Sequence, residues 1–147
     1  MIAHVESYRL TFEERSEYLY AKIKADTIDE DIARAYLREV EAQCARIKCG
    51  RLLLHRDIPA MLPDGVLYFV AEAFQEMTRG VKAAFVNPYE ANQKSIDFAV
   101  TVGINRGGHY KTFTNDTDAE QWLLKGLSRR SIGRTPRSRP ATPSMSA

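Results

Sequence analysis

The chain is predicted to form an α/β domain: a mixed sheet of about five strands with about four helices around it. Three observations carry that expectation. The chain opens with two short segments that alternate apolar and polar residues. Strand and helix patterns then follow one another from Arg51 to Arg79 and again from Gly80 to Gly126, with almost nothing spare between them. Helix start signals, Asn87-Pro88-Tyr89-Glu90 and Thr117-Asp118-Ala119-Glu120, come directly after two of the strand-like runs.

Tyr8–Phe12 and, more loosely, Tyr18–Ile23 alternate in strand fashion, and the polar Glu13–Ser16 between them predicts an antiparallel hairpin. Thr27 and Glu30 match a capping box for a first helix. Ala33, Leu37, Val40, Cys44 and Ile47 recur at three- and four-residue steps and form one apolar stripe. Gly50 is placed to end that helix. Arg51-Leu52-Leu53-Leu54-His55 then suits a central strand covered on both faces.

Asp57–Asp64, with Pro59 and Pro63, is predicted as an irregular loop. The second helix follows, with Leu67, Phe69, Val70, Ala73, Phe74 and Met77 in helical period. Lys82–Val86 is the next strand. Asn87 as cap and Pro88 as first residue predict the start of the third helix, and Gly107-Gly108 its end. Tyr110–Phe113 is the last strand, and Ala119, Trp122 and Leu123 are placed to pack a fourth helix on the sheet.

At 147 residues the chain suits one domain able to bury a core without disulfides or metals. No apolar run reaches the roughly 18 residues needed to span a bilayer, and Met1–Glu6 lacks the pattern of an export signal. The expectation is a cytoplasmic protein in which Cys44 and Cys49 are reduced thiols. There are 21 basic and 19 acidic residues, but five arginines and no acid fall after Leu127, leaving the rest net acidic. The domain is therefore drawn at residues 1–126. Residues 127–147 form a basic tail, rich in Arg, Ser and Pro, that is too polar to offset its ordering entropy and is expected to be disordered.

The element order, together with the Arg51–Leu54 strand after a capped helix, the Val81–Val86 strand and the closing pattern Phe113-x5-Ala119-x2-Trp122-Leu123, resembles the SpoIIAA-like proteins. These belong to the STAS (sulfate transporter and anti-sigma-factor antagonist) superfamily. The resemblance spans about residues 5 to 126 and implies a non-enzymatic regulatory or protein-interaction module. In the switched antagonists a phosphorylated serine sits just beyond the third strand. Here that region, Asp57–Asp64, has no Ser or Thr, and none occurs between Ile28 and Met77. The resemblance extends in fold to CRAL-TRIO lipid-carrier domains. It thereby implies an alternative, the binding of a lipid or other hydrophobic ligand with contact at a membrane surface.

The loop beyond the central strand lies where open α/β sheets bind ligands. Ile58, Met61, Leu62, Leu67 and Tyr68, flanked by Arg56 and Asp57, are the candidate contact residues for a protein or hydrophobic ligand. The bland alternative is that they close the core. No catalytic, cofactor-binding or metal-ligating set stands out. Asp57 and Asp64 lack any sequence sign of an acid–base pair, and His4, His55 and His109 lack metal-site spacing. A small enzyme using Asp57, Asp64 or His109 is the weakest reading. Asn105–His109 departs from both phosphate-loop patterns and reads as a helix end. The net acidic domain argues against nucleic acid, the arginine tail allows peripheral membrane contact, and a homodimer stays open.

Overall fold

A computed structural model describes residues 8–125. The basic segment 127–147 lies outside the described residues, as does His4. The elements run β1 (Arg9–Glu14), β2 (Leu19–Lys24), α1 (Glu30–Ile47), β3 (Arg51–Asp57), α2 (Asp64–Met77), β4 (Lys82–Val86), a 3-10 turn (Glu90–Asn92), α3 (Gln93–Asn105), β5 (His109–Phe113) and α4 (Asp116–Leu124). The five strands lie side by side in chain order. β1 and β2 form the antiparallel hairpin, and β2 to β5 are parallel. This is the mixed five-stranded sheet with four helices that the sequence predicts.

Each crossover steps one strand in the same direction, and such connections share a right hand. α1, α2 and α3 therefore cover one face, packing on Leu19, Ala21, Ile23, Leu52, Leu54 and Ala83. α4 returns to the other face and covers Leu53, Ala84 and Val86 with Ala119 and Leu123. Leu52, Leu53 and Leu54 are all buried, because β3 is the central strand and both its faces are roofed.

Several boundaries differ from the sequence expectation, each for a local reason. α1 is capped by Asp29, whose carboxylate accepts from the Ile32 amide at 2.8 Å, so the Thr27–Glu30 capping box does not form. The helix ends at Lys48 (φ 55) and not at Gly50, because the Cys49 amide reaches back to the Cys44 carbonyl at 2.9 Å and closes the last turn early. β3 runs two residues further than expected, taking in Arg56 and Asp57. Asn87 does not cap α3. Its side chain accepts from the Tyr89 amide and donates to the Tyr89 carbonyl, so the chain passes through a 3-10 turn and α3 begins only at Gln93. Phe98 and Ile104 of α3 are exposed despite their apolar side chains.

Candidate functional site

The carboxyl end of β3 divides its last two side chains between the faces of the sheet, as strand alternation requires. Arg56 stands level with Ile23 on the three-helix face, and Asp57 level with Lys24 on the other. Arg56 is buried, only 7% exposed, and does not flank the loop at the surface. Its guanidinium donates to the Ile58 carbonyl at 2.9 Å and to the Ala60 carbonyl at 2.7 Å. Asn92, buried just before α3, donates to the carbonyls of Ile58 (3.2 Å) and Pro59 (3.1 Å). The loop backbone is thus clamped from two elements.

Asp57 accepts from the Tyr89 hydroxyl at 2.6 Å and pairs with Lys24 at 3.1 Å. The Tyr89 hydrogen bond, helped by Lys24, holds its carboxyl below the usual range. Ile58, Leu62 and Leu67 are buried and Met61 is half-buried. What this segment offers to solvent is therefore Pro59, part of Met61, the exposed Pro63–Gly65 turn, the half-buried Tyr68 and the 59% exposed Phe69. The Tyr68 and Phe69 rings meet edge to face at 5.2 Å, and Arg106 donates to the Tyr68 hydroxyl at 2.7 Å while pairing with Glu72.

Behind the loop, between the sheet and α1 to α3, lies an apolar cavity of about 90 Å³. Four of the candidate contact residues (Arg56, Met61, Leu62 and Leu67) line it with Tyr36, Leu54 and Phe74. Asp57, Ile58 and Tyr68 do not border it.

On the opposite face the structure gathers a polar network that the sequence reading missed. The Asp116 carboxylate, at the start of α4, meets His55 Nδ1 at 2.7 Å and the Tyr20 hydroxyl at 2.6 Å. Tyr18 donates to Glu120 at 2.8 Å and accepts from Arg15 at 2.7 Å, and the Arg15 guanidinium lies 4.3 Å from the Tyr20 ring centre. Burial pushes the Asp116 carboxyl up, but the bonds from Tyr20 and His55 outweigh it and the net shift is downward. Burial, reinforced by Asp116, raises the Tyr20 phenol.

His109 does not join either group. The register sets it level with Lys82 and Arg51 at the amino end of the strands, whereas Asp57 is at the carboxyl end. Asp64 is an exposed first-turn residue of α2. Among the described residues, no three His, Cys, Asp or Glu side chains cluster to hold a metal ion, and no helix is long and apolar enough to cross a membrane.

No protein-family model and no curated protein matches the sequence. Solved structures do match. An anti-sigma factor antagonist from Mycobacterium paratuberculosis superposes with a TM-score of 0.60 at 15% identity, over 81% of this chain and 96% of that one. An uncharacterized protein with a SpoIIAA-like fold from Shewanella loihica PV-4 superposes with a TM-score of 0.53 at 16% identity, over 80% of this chain and 94% of that one. At such identities the likeness is one of fold, and it agrees with the architecture anticipated from the element order: the chain has a SpoIIAA-like α/β fold.

Proposed function

We propose that the protein is a non-enzymatic regulatory module that works by contact, presenting the Pro59–Phe69 segment to a protein partner. The observation that carries this reading is Phe69. A large aromatic ring left 59% exposed in the second turn of α2, edge to face with the half-buried Tyr68, is an apolar anchor of the kind interfaces use. The loop that precedes the helix is already fixed at Ile58–Ala60 by Arg56 and Asn92, so ordering it costs docking little entropy. The fold shared with an anti-sigma factor antagonist supports a regulatory role. The missing Ser and Thr between Ile28 and Met77 separate this chain from a phosphorylation switch at that segment.

The test is affinity capture with the native chain and with Phe69→Asp as baits. The native chain should retain a partner that the variant loses, with far-UV circular dichroism unchanged. Equal retention by both, or no partner with either, sinks this face as the working surface. A second reading, binding of a small hydrophobic ligand, is favoured by the apolar cavity behind the same loop.

A further inference from the structure

We propose that the cavity between the sheet and α1 to α3 is a binding site for a short-chain carboxylate, with the aliphatic end among Leu54, Leu62 and Phe74 and the carboxylate on Arg56. This rests on the hydrophobic-ligand reading and adds to it a charge, a polarity and a size.

The charge follows from Arg56. A buried guanidinium ordinarily has a carboxylate beside it, because desolvating the cation is costly unless a counter-charge compensates. Among the described residues no ion pair includes Arg56. Its bonds to the Ile58 and Ala60 carbonyls fix the loop and it also meets the neutral Tyr36 hydroxyl, but none of these brings an opposite charge, and a guanidinium carries five N–H donors. The planar fork matches a carboxylate better than any neutral acceptor.

The polarity of the site follows from its other polar lining groups. Asn87 is already engaged with Tyr89 and Gln93 through both its side-chain nitrogen and oxygen. Tyr36 is buried next to Arg56, and burial pushes its phenol up, so it remains a neutral O–H donor on the same side as the cation. The Tyr110 hydroxyl, also in the lining, is engaged with Thr78 at 3.0 Å, so Arg56 and Tyr36 mark one end of the cavity as the head-group end and the rest of the wall is apolar or already paired. The size follows from the volume. About 90 Å³ is smaller than the roughly 150 Å³ cavity that admits benzene, so the chain it takes is a few carbons long.

The experiment is an NMR titration of the full chain with butanoate, its neutral isostere butanamide, and xenon. Butanoate should bind saturably, with shifts centred on Arg56 and Tyr36, at least tenfold more tightly than butanamide. Arg56→Met should abolish that preference while xenon still enters. Ala71→Leu, which fills the cavity from α2, should exclude both butanoate and xenon, and it serves if Arg56→Met does not fold. Xenon entry with equal or absent binding of butanoate and butanamide overturns the head-group assignment alone. Exclusion of xenon from the native chain overturns the cavity reading as well.

Discussion

Where α1, α2 and α3 cover the sheet, contact is made by apolar side chains: α1 alone buries Ile32, Ala33, Tyr36, Leu37, Val40 and Cys44. Where α4 covers it, only Ala119 and Leu123 are buried, and polar groups do much of the holding. Asp116 and Glu120 are tied to Tyr20, His55 and Tyr18 near the amino end of α4. At its carboxyl end Arg51 donates to the Leu123 carbonyl at 3.0 Å and Lys82 to the Trp122 carbonyl at 2.8 Å, where cations also favour the negative end of the helix dipole. Burial, together with the neighbouring charges of Arg51 and Lys125, lowers Lys82. The difference teaches that one face is fixed by burial, which is indifferent to pH, and the other by directional bonds that single protons or single oxygens can undo.

Adjacent leucines on β3 give the sharpest break. Leu52→Ala, on the three-helix face, should cost about 3–4 kcal/mol and lower the whole unfolding transition. Leu53→Ala, under α4, should cost about 2–3 kcal/mol. Trp122 is the one tryptophan in the chain and lies on α4. In Leu53→Ala its fluorescence should therefore change before the circular dichroism does. Coincident transitions in both variants would erase the distinction between the faces.

Gly103→Ala tests how tightly α3 sits on β5. A Cβ there would lie 2.4 Å from the Tyr110 ring, which is itself held by a 3.0 Å bond to the Thr78 hydroxyl. A loss of about 1–3 kcal/mol in chemical denaturation is expected. Tyr20→Phe removes one bond to the Asp116 carboxylate and should cost about 1 kcal/mol, with faster amide exchange confined to α4.

The gentlest probe is acid. Asp116 has a lowered pKa in the folded state, so its contribution is complete above the unfolded value of about 3.9 and is lost as pH falls through the folded one. Acidification through that window should move Trp122 fluorescence ahead of the global transition, and Asp116→Asn should remove the early step. Asp57 carries a shift of the same sign, so the global transition should keep its own acid dependence in that variant.

Much of the architecture was legible in the residues. Lys82–Val86 reads as a strand and is one, and the Leu52–Leu54 run marks the central strand, because only a strand roofed on both sides is apolar without alternation. The α1 stripe from Ala33 to Cys44 is the buried one. The site was less legible. Arg56 at the end of an apolar run reads as the start of a loop, and its burial depends on β3 extending far enough for strand alternation to turn it inward. The Tyr20–Asp116 and His55–Asp116 bonds join residues 96 and 61 positions apart, a separation at which no local pattern survives. Asn87-Pro88 looked like a helix start because Asn does cap helices; here its amide is spent on Tyr89.

The side-by-side order of β1 to β5 has a consequence for biogenesis. A chain emerging from the ribosome can add each strand to the edge left by its predecessor, without waiting for a distant segment or threading between strands already joined. The nascent sheet grows in one direction, and its latest edge is the template for the next strand of the same molecule. Among the described elements α4 arrives last and seals the second face.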